Sequence, residues 1–133
     1  MNQKELDKIL ENHKLWLKTN GVEGERANLS YADLRYANLR YANLSYADLR
    51  YADLSYANLD YSAFPLWCGG LDVHIDDKQA TQLLYHLICN VKYSKNTSKA
   101  MKKICRIKSL VNQANKFHRV NECGAIESEV DTE

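Results

Sequence analysis

The polar and apolar positions of the chain fall into three rhythms. Residues 3–18 place Leu6, Ile9, Leu10, His13, Trp16 and Leu17 at helical spacing, with Lys and Glu opposite. Thr19-Asn20-Gly21 is a stop signal, so one amphipathic helix is predicted there, with His13 on its apolar side as a packed core residue. From Ala27 to Phe64 the rhythm changes to five: Leu recurs at 29, 34, 39, 44, 49, 54 and 59. Five residues of α-helix turn roughly 140° beyond a full circle, which scatters these leucines around the cylinder. On one flat strand an odd step throws alternate leucines to opposite faces. A single core forms only if the chain turns a corner once per unit, with four units to a coil and coils about 4.8 Å apart. Beyond Pro65, the alternating run Leu71, Val73, Ile75 predicts a short strand over the last coil. A helix capped by Asp76 or Asp77 follows, carrying Leu83, Leu84, Leu87, Ile88 and Val91. A second helix over 98–119 is predicted to turn Met101, Ile104, Cys105, Ile107, Leu110, Val111, Ala114 and Phe117 inward.

Within the period-five segment each unit reads Ala-(Asn/Asp)-Leu-X-Tyr. Ala is small enough to sit beside Leu in a narrow interior, and Asn or Asp can bond its own nearby backbone to hold a turn. X and Tyr are left to face outward. With four units per coil, Tyr31 is expected to stack on Tyr51, Tyr36 on Tyr56 and Tyr41 on Tyr61. These residues resemble the pentapeptide repeat family. The resemblance implies a right-handed quadrilateral β-helix, and it fades at Asp60, Ala63 and Phe64. The uniform outward Tyr also departs from a position that varies in the family. The expected fold class is therefore a β-solenoid of about two coils, with an N-terminal capping helix and a C-terminal α-helical module. The expected divisions are 1–20 for the capping helix, 21–65 for the repeats, 66–120 for the helical module and 121–133 for an acidic tail.

Charge changes the picture more than composition does. The whole chain of 133 residues carries +1, and the repeats from 27 to 61 hold four Asp against three Arg. The resemblance brings to mind acidic rods that imitate duplex DNA and block DNA gyrase. B-DNA carries a charge about every 1.7 Å of its axis, so a nearly neutral stub of about two coils cannot imitate it. From Lys92 to Arg119 there are nine Lys or Arg and no acid, whereas 120–133 has five acids and no base. No apolar run approaches the roughly 20 residues of a membrane span, and the N-terminus reads as a charged amphipathic segment. A cytoplasmic protein without membrane contact is expected, and its four cysteines are expected to stay reduced.

Two surfaces are candidates for binding. The first is the aromatic set Tyr31, Tyr36, Tyr41, Tyr46, Tyr51, Tyr56 and Tyr61, of a residue type enriched at protein interfaces. The second is the basic set Lys99, Lys102, Lys103, Arg106, Lys116 and Arg119, which suits a nucleotide, a nucleic acid or an acidic protein patch. Cys68, His74, His86, Cys89, Cys105, His118 and Cys123 lack the paired spacing of zinc ligands, so no metal and no cofactor is expected. No phosphate loop or nucleophile elbow occurs, and a Cys–His enzyme built on His86, His118 and Cys123 is the most distant reading. The expected function is a non-enzymatic scaffold engaging a protein partner, with a homodimer left open. The resemblance implies a bacterial or phage origin, and for a phage protein the blocking of a host factor.

Overall fold

The computed structural model describes residues 1–126. They form two compact units, one spanning Met1–Asp76 and a second beginning at Asp77.

In the first unit the repeats return over themselves every twenty residues. Single parallel bridges join Asn28 to Asp48, Asp33 to Asp53, Asn38 to Asn58 and Asn43 to Ala63. The N–H groups of Leu29, Leu34 and Leu39 donate to the carbonyls of Asp48, Asp53 and Asn58 at 2.7, 2.9 and 2.9 Å. Each Leu carbonyl then accepts from the N–H three residues on (Ala in six units, Ser62 at Leu59), as in Ala32 to Leu29 at 3.1 Å, which closes a turn. Tyr occupies the third place of that turn with φ between 60° and 65° at all seven positions. This is the φ pattern of a type II turn, a place that ordinarily selects Gly or Asn. Asn or Asp supports the same corner by accepting from the N–H two residues on, for instance Asp33 Oδ1 from Arg35 at 3.2 Å. The leucines converge on one core, with Leu29 through Leu54 at most 1% exposed.

The expected β-solenoid, or quadrilateral β-helix, is corrected by the structure. Among the described residues there are no strands and no sheet, and the regular elements are helices. The physical reason lies in the turn. With two residues of every five at a corner, each side keeps a single bridging Asn or Asp and never the consecutive ladder residues a strand requires. The predicted strand over 71–75 is corrected on the same ground, since only His74 bridges there, to Asp53. The segment 66–76 still bonds the coil: Leu49 N–H donates to Gly69 O at 2.7 Å and Tyr51 N–H to Asp72 O at 2.9 Å. Gly69 is required at that crossing, because a Cβ there would lie 2.2 Å from the Trp67 ring and 2.8 Å from Ala47 O.

Helix α1, Gln3–Lys18, packs Leu6, Ile9 and Leu10 against the leucine core. Its start is a capping box: Asn2 Oδ1 accepts from Glu5 N–H and Glu5 Oε2 accepts from Asn2 N–H. His13 is fully buried. Its Nδ1 accepts from Ala27 N–H at 3.0 Å, so its Nε2 must carry the proton and donate to Ser45 O at 2.8 Å.

The second unit has its own core of Tyr85, Ile88, Val91, Cys105, Ala114 and Phe117. It comprises α2 (Asp77–Tyr93), α3 (Lys99–Ile104), α4 (Lys108–Ala114) and α5 (Val120–Cys123). The continuous helix expected over 98–119 is broken at 105–107, where Ile107 is extended at φ −61° and ψ 125°. Met101 and Ile104, expected inward, are exposed, while Cys105 and Ala114 reach one core. The break allows both to do so from two short helices. Of the acidic tail expected over 121–133, residues 127–133 lie outside the described residues. No helix among the described residues is long and apolar enough to cross a membrane.

Candidate functional site

The repeat turns determine what the first unit presents to solvent. A left-handed φ costs a non-glycine residue about 1–2 kcal/mol, and here it is paid seven times at Tyr. Stacking offsets part of this, since aromatic pairs contribute about 0.5–1.5 kcal/mol beyond buried area. Tyr31 and Tyr51 stack with centroids 4.9 Å apart, and the pairs Tyr36–Tyr56 and Tyr41–Tyr61 each stack at 5.0 Å. Tyr46 meets the edge of Trp16 at 6.0 Å. All seven rings stay largely in solvent, from 48% exposed at Tyr51 to 76% at Tyr31.

The three repeat arginines take two different roles. Arg35 forks onto Asp33 at 2.9 and 2.7 Å, and Arg50 onto Asp48 at 3.0 and 2.6 Å. The guanidinium hydrogen bonds hold both carboxyls below their usual range, and the Ser55 hydroxyl and N–H do the same for Asp53. Arg40 follows Asn38 instead of an acid, and its guanidinium lies over Tyr41 at 5.1 Å and Tyr61 at 5.0 Å. Beside this face runs a groove of about 840 Å³ lined by Leu10, Lys14, Leu17 and Lys18 of α1 together with Arg40 and Tyr41. Sequence reasoning named Tyr41 and Tyr61 but missed Arg40 and the groove. A signal for it exists in the chain: Arg40 is the one repeat arginine preceded two residues earlier by Asn.

The basic residues of the second unit do not form one helix face. Lys99 and Lys103 lie exposed on α3, Arg106 in the turn after it, and Lys116 beyond α4. Lys102 Nζ donates to Val91 O at 3.2 Å and also to Ser94 O, closing the end of α2. Arg119 pairs with Glu122 at the start of α5. Lys102 and Arg119 are therefore engaged within the unit.

Cysteine and histidine are likewise dispersed. His86 and His118 both touch the Phe117 ring, at centroid distances of 5.6 and 4.9 Å, while Cys123 lines a separate cavity. Cys105 is buried, and burial pushes its thiol up. Among the described residues no group of three or more His, Cys, Asp or Glu could hold a metal ion.

No curated protein and no solved structure matches the chain. A family model does match: pentapeptide repeats, in 8 copies, over residues 27–60. Such repeats commonly serve as protein-interaction scaffolds and are generally non-enzymatic. Outward rings on a leucine-filled five-residue repeat and the family match over that same segment agree, and residues 27–60 are a run of pentapeptide repeats.

Proposed function

We propose that this protein is a non-enzymatic scaffold that engages a protein partner through the tyrosine-bearing surface of its repeats, centred on Arg40, Tyr41 and Tyr61. The observation that carries the reading is the Arg40 guanidinium resting on two stacked, exposed tyrosine rings beside the α1 groove. Tyr and Arg are the side chains that dominate binding energy at protein interfaces, because they offer large contact area with few rotors. Rings held in register by the backbone lose little further entropy when a partner covers them. In the form that the family resemblance implies, the partner is a host factor blocked by a bacterial or phage protein.

A second reading rests on charge. The described residues of the second unit, 77–126, contain ten Lys or Arg and two acids. That balance favours contact with a polyanion such as a nucleic acid, whose affinity falls steeply with salt.

One experiment separates them. The tagged protein is used to capture partners from a lysate of its own source, in parallel with Tyr41→Ser/Tyr61→Ser and with Lys99→Glu/Lys103→Glu/Lys116→Glu. Loss of the captured protein with the tyrosine pair alone, and retention with the lysine triple, is the expected result. The opposite pattern, with capture abolished by nuclease, supports the basic surface and overturns the first reading.

A further inference from the structure

Of the four cysteines, two are drawn to one place in the second unit. Cys89 sits on α2 one turn after Tyr85, so both side chains share a face of that helix. The Tyr85 hydroxyl donates to Gly124 O at 2.5 Å, and Gly124 directly follows Cys123. A cavity of about 340 Å³ is lined by Tyr85, Cys89, Lys92 and Cys123, among others. The Tyr85 hydroxyl is pushed up to about 12, first by burial and then by its hydrogen bond with Cys89, and the Cys123 thiol adds to the effect. Cys123 is exposed and Cys89 is partly buried. The other two thiols are placed differently: Cys105 is buried in the core, and Cys68 belongs to the first unit.

From this arrangement we infer that Cys89 and Cys123 are a redox-sensitive dithiol, a site of modification by hydroperoxides that closes to an intramolecular disulfide. Cys123, open to solvent, reacts first. Its thiolate attacks the peroxide, an S–O bond forms as the O–O bond breaks, and the departing oxygen takes up the thiol proton and leaves as water or an alcohol. The Cys89 thiolate then attacks the sulfenic sulfur. The S–S bond forms, the S–O bond breaks, and the hydroxide leaves as water with the Cys89 proton. Two thiols lose two electrons in all, and one hydroperoxide is reduced by two. Lys92, three residues after Cys89 on α2, lines the same cavity. Tyr85 is a positioning residue: its bond to Gly124 holds the end of α5 against α2. The closed disulfide would replace that single hydrogen bond by a covalent tie.

The test treats the reduced full chain with one equivalent of hydrogen peroxide and reads free thiols, intact mass and a non-reducing peptide digest. The expected result is loss of two of the four thiols, a mass lower by two hydrogens, and one linked peptide joining Cys89 to Cys123. Cys89→Ser should stop at a sulfenic acid on Cys123 that dimedone traps, and Cys123→Ser should give no intramolecular link. In Tyr85→Phe the sulfenic acid should form at the wild-type rate but persist, because closure has lost its clamp. A link through Cys68 or Cys105, a disulfide between two chains, or sulfinic acid on Cys123 beside a free Cys89 overturns the proposal. The wild-type digest decides it without reference to any variant.

Discussion

At the scale of single residues, the decisive position is the tyrosine of each repeat. Its φ near +60° is forced by the corner, so the side chain that follows X is committed to the outside whatever its chemistry. Tyrosine accepts that strain and recovers part of it by stacking twenty residues away. This yields a sharp comparison at Tyr36. Replacement by Ala keeps the left-handed strain and removes the stack, whereas Gly removes both. Tyr36→Gly should therefore be more stable than Tyr36→Ala by about 1–2 kcal/mol in urea denaturation. An Ala variant equal to or better than Gly would show that the corner has no such preference. Arg40 makes the same point about context. One neighbouring difference, Asn38 where the two other arginine-bearing units carry Asp, leaves the guanidinium to lie on aromatic faces.

At the scale of elements, α1 is joined to the coil by packing and by one buried imidazole. His13 takes a proton donor from Ala27 and gives its own to Ser45, so only the neutral ring fits. Burial lowers its pKa below the ordinary value of about 6.5, with the Arg26 charge lowering it further against the raising effect of Ser45 O. Because the folded pKa is the depressed one, the unfolded chain binds the proton more readily. The stabilisation is thus complete above about pH 6.5 and is lost as pH falls through the folded-state pKa. Thermal melts between pH 8 and pH 5 should show the wild type losing stability below about 6.5. His13→Leu should be less stable at pH 8 and flat across that window, since both bonded backbone groups lose their partner. A parallel decline in both proteins would remove His13 as the titrating group. Asp33, Asp48 and Asp53, held low by their donors, add a separate loss of stability below about pH 4.

At the scale of the molecule, two cores with no residue in common divide the chain at Asp76 and Asp77. Both tryptophans, Trp16 and Trp67, lie in the first unit, while α2 is the longest helix and lies in the second. Tryptophan fluorescence and far-UV circular dichroism therefore weight the two units differently. Leu39→Ala should lower the fluorescence midpoint by about 2–5 kcal/mol of stability, and Phe117→Ala should act chiefly on the helical signal by about 3–5 kcal/mol. Equal displacement of both signals by either change would mean that the units unfold as one. Charge divides along the same line, since the repeats are nearly neutral and the described residues from Asp77 on are strongly basic. This is why the two readings of function can be separated by variants confined to one unit.

In the repeats and in α1, periodicity alone told which side chains leave water. A period of five admits one shared interior for the leucines, and a spacing of three and four puts Leu6, Ile9 and Leu10 on one face of α1. Both follow from local geometry, which the chain carries in full. The missing strands were not legible, because whether neighbouring residues continue a ladder depends on how much chain each corner consumes. The break at 105–107 was hidden for a related reason. Met101 through Phe117 read as one apolar stripe, and only the position of α2 decides which of those residues it can cover. Arg40 on its rings, Lys102 on the end of α2, and Cys89 beside Cys123 depend on where distant segments come to rest. The sequence by itself determined the repeat, its buried leucines and the segregation of charge. Tertiary structure decided which polar groups meet, because a pairwise contact needs two positions in space and a pattern along the chain supplies only one.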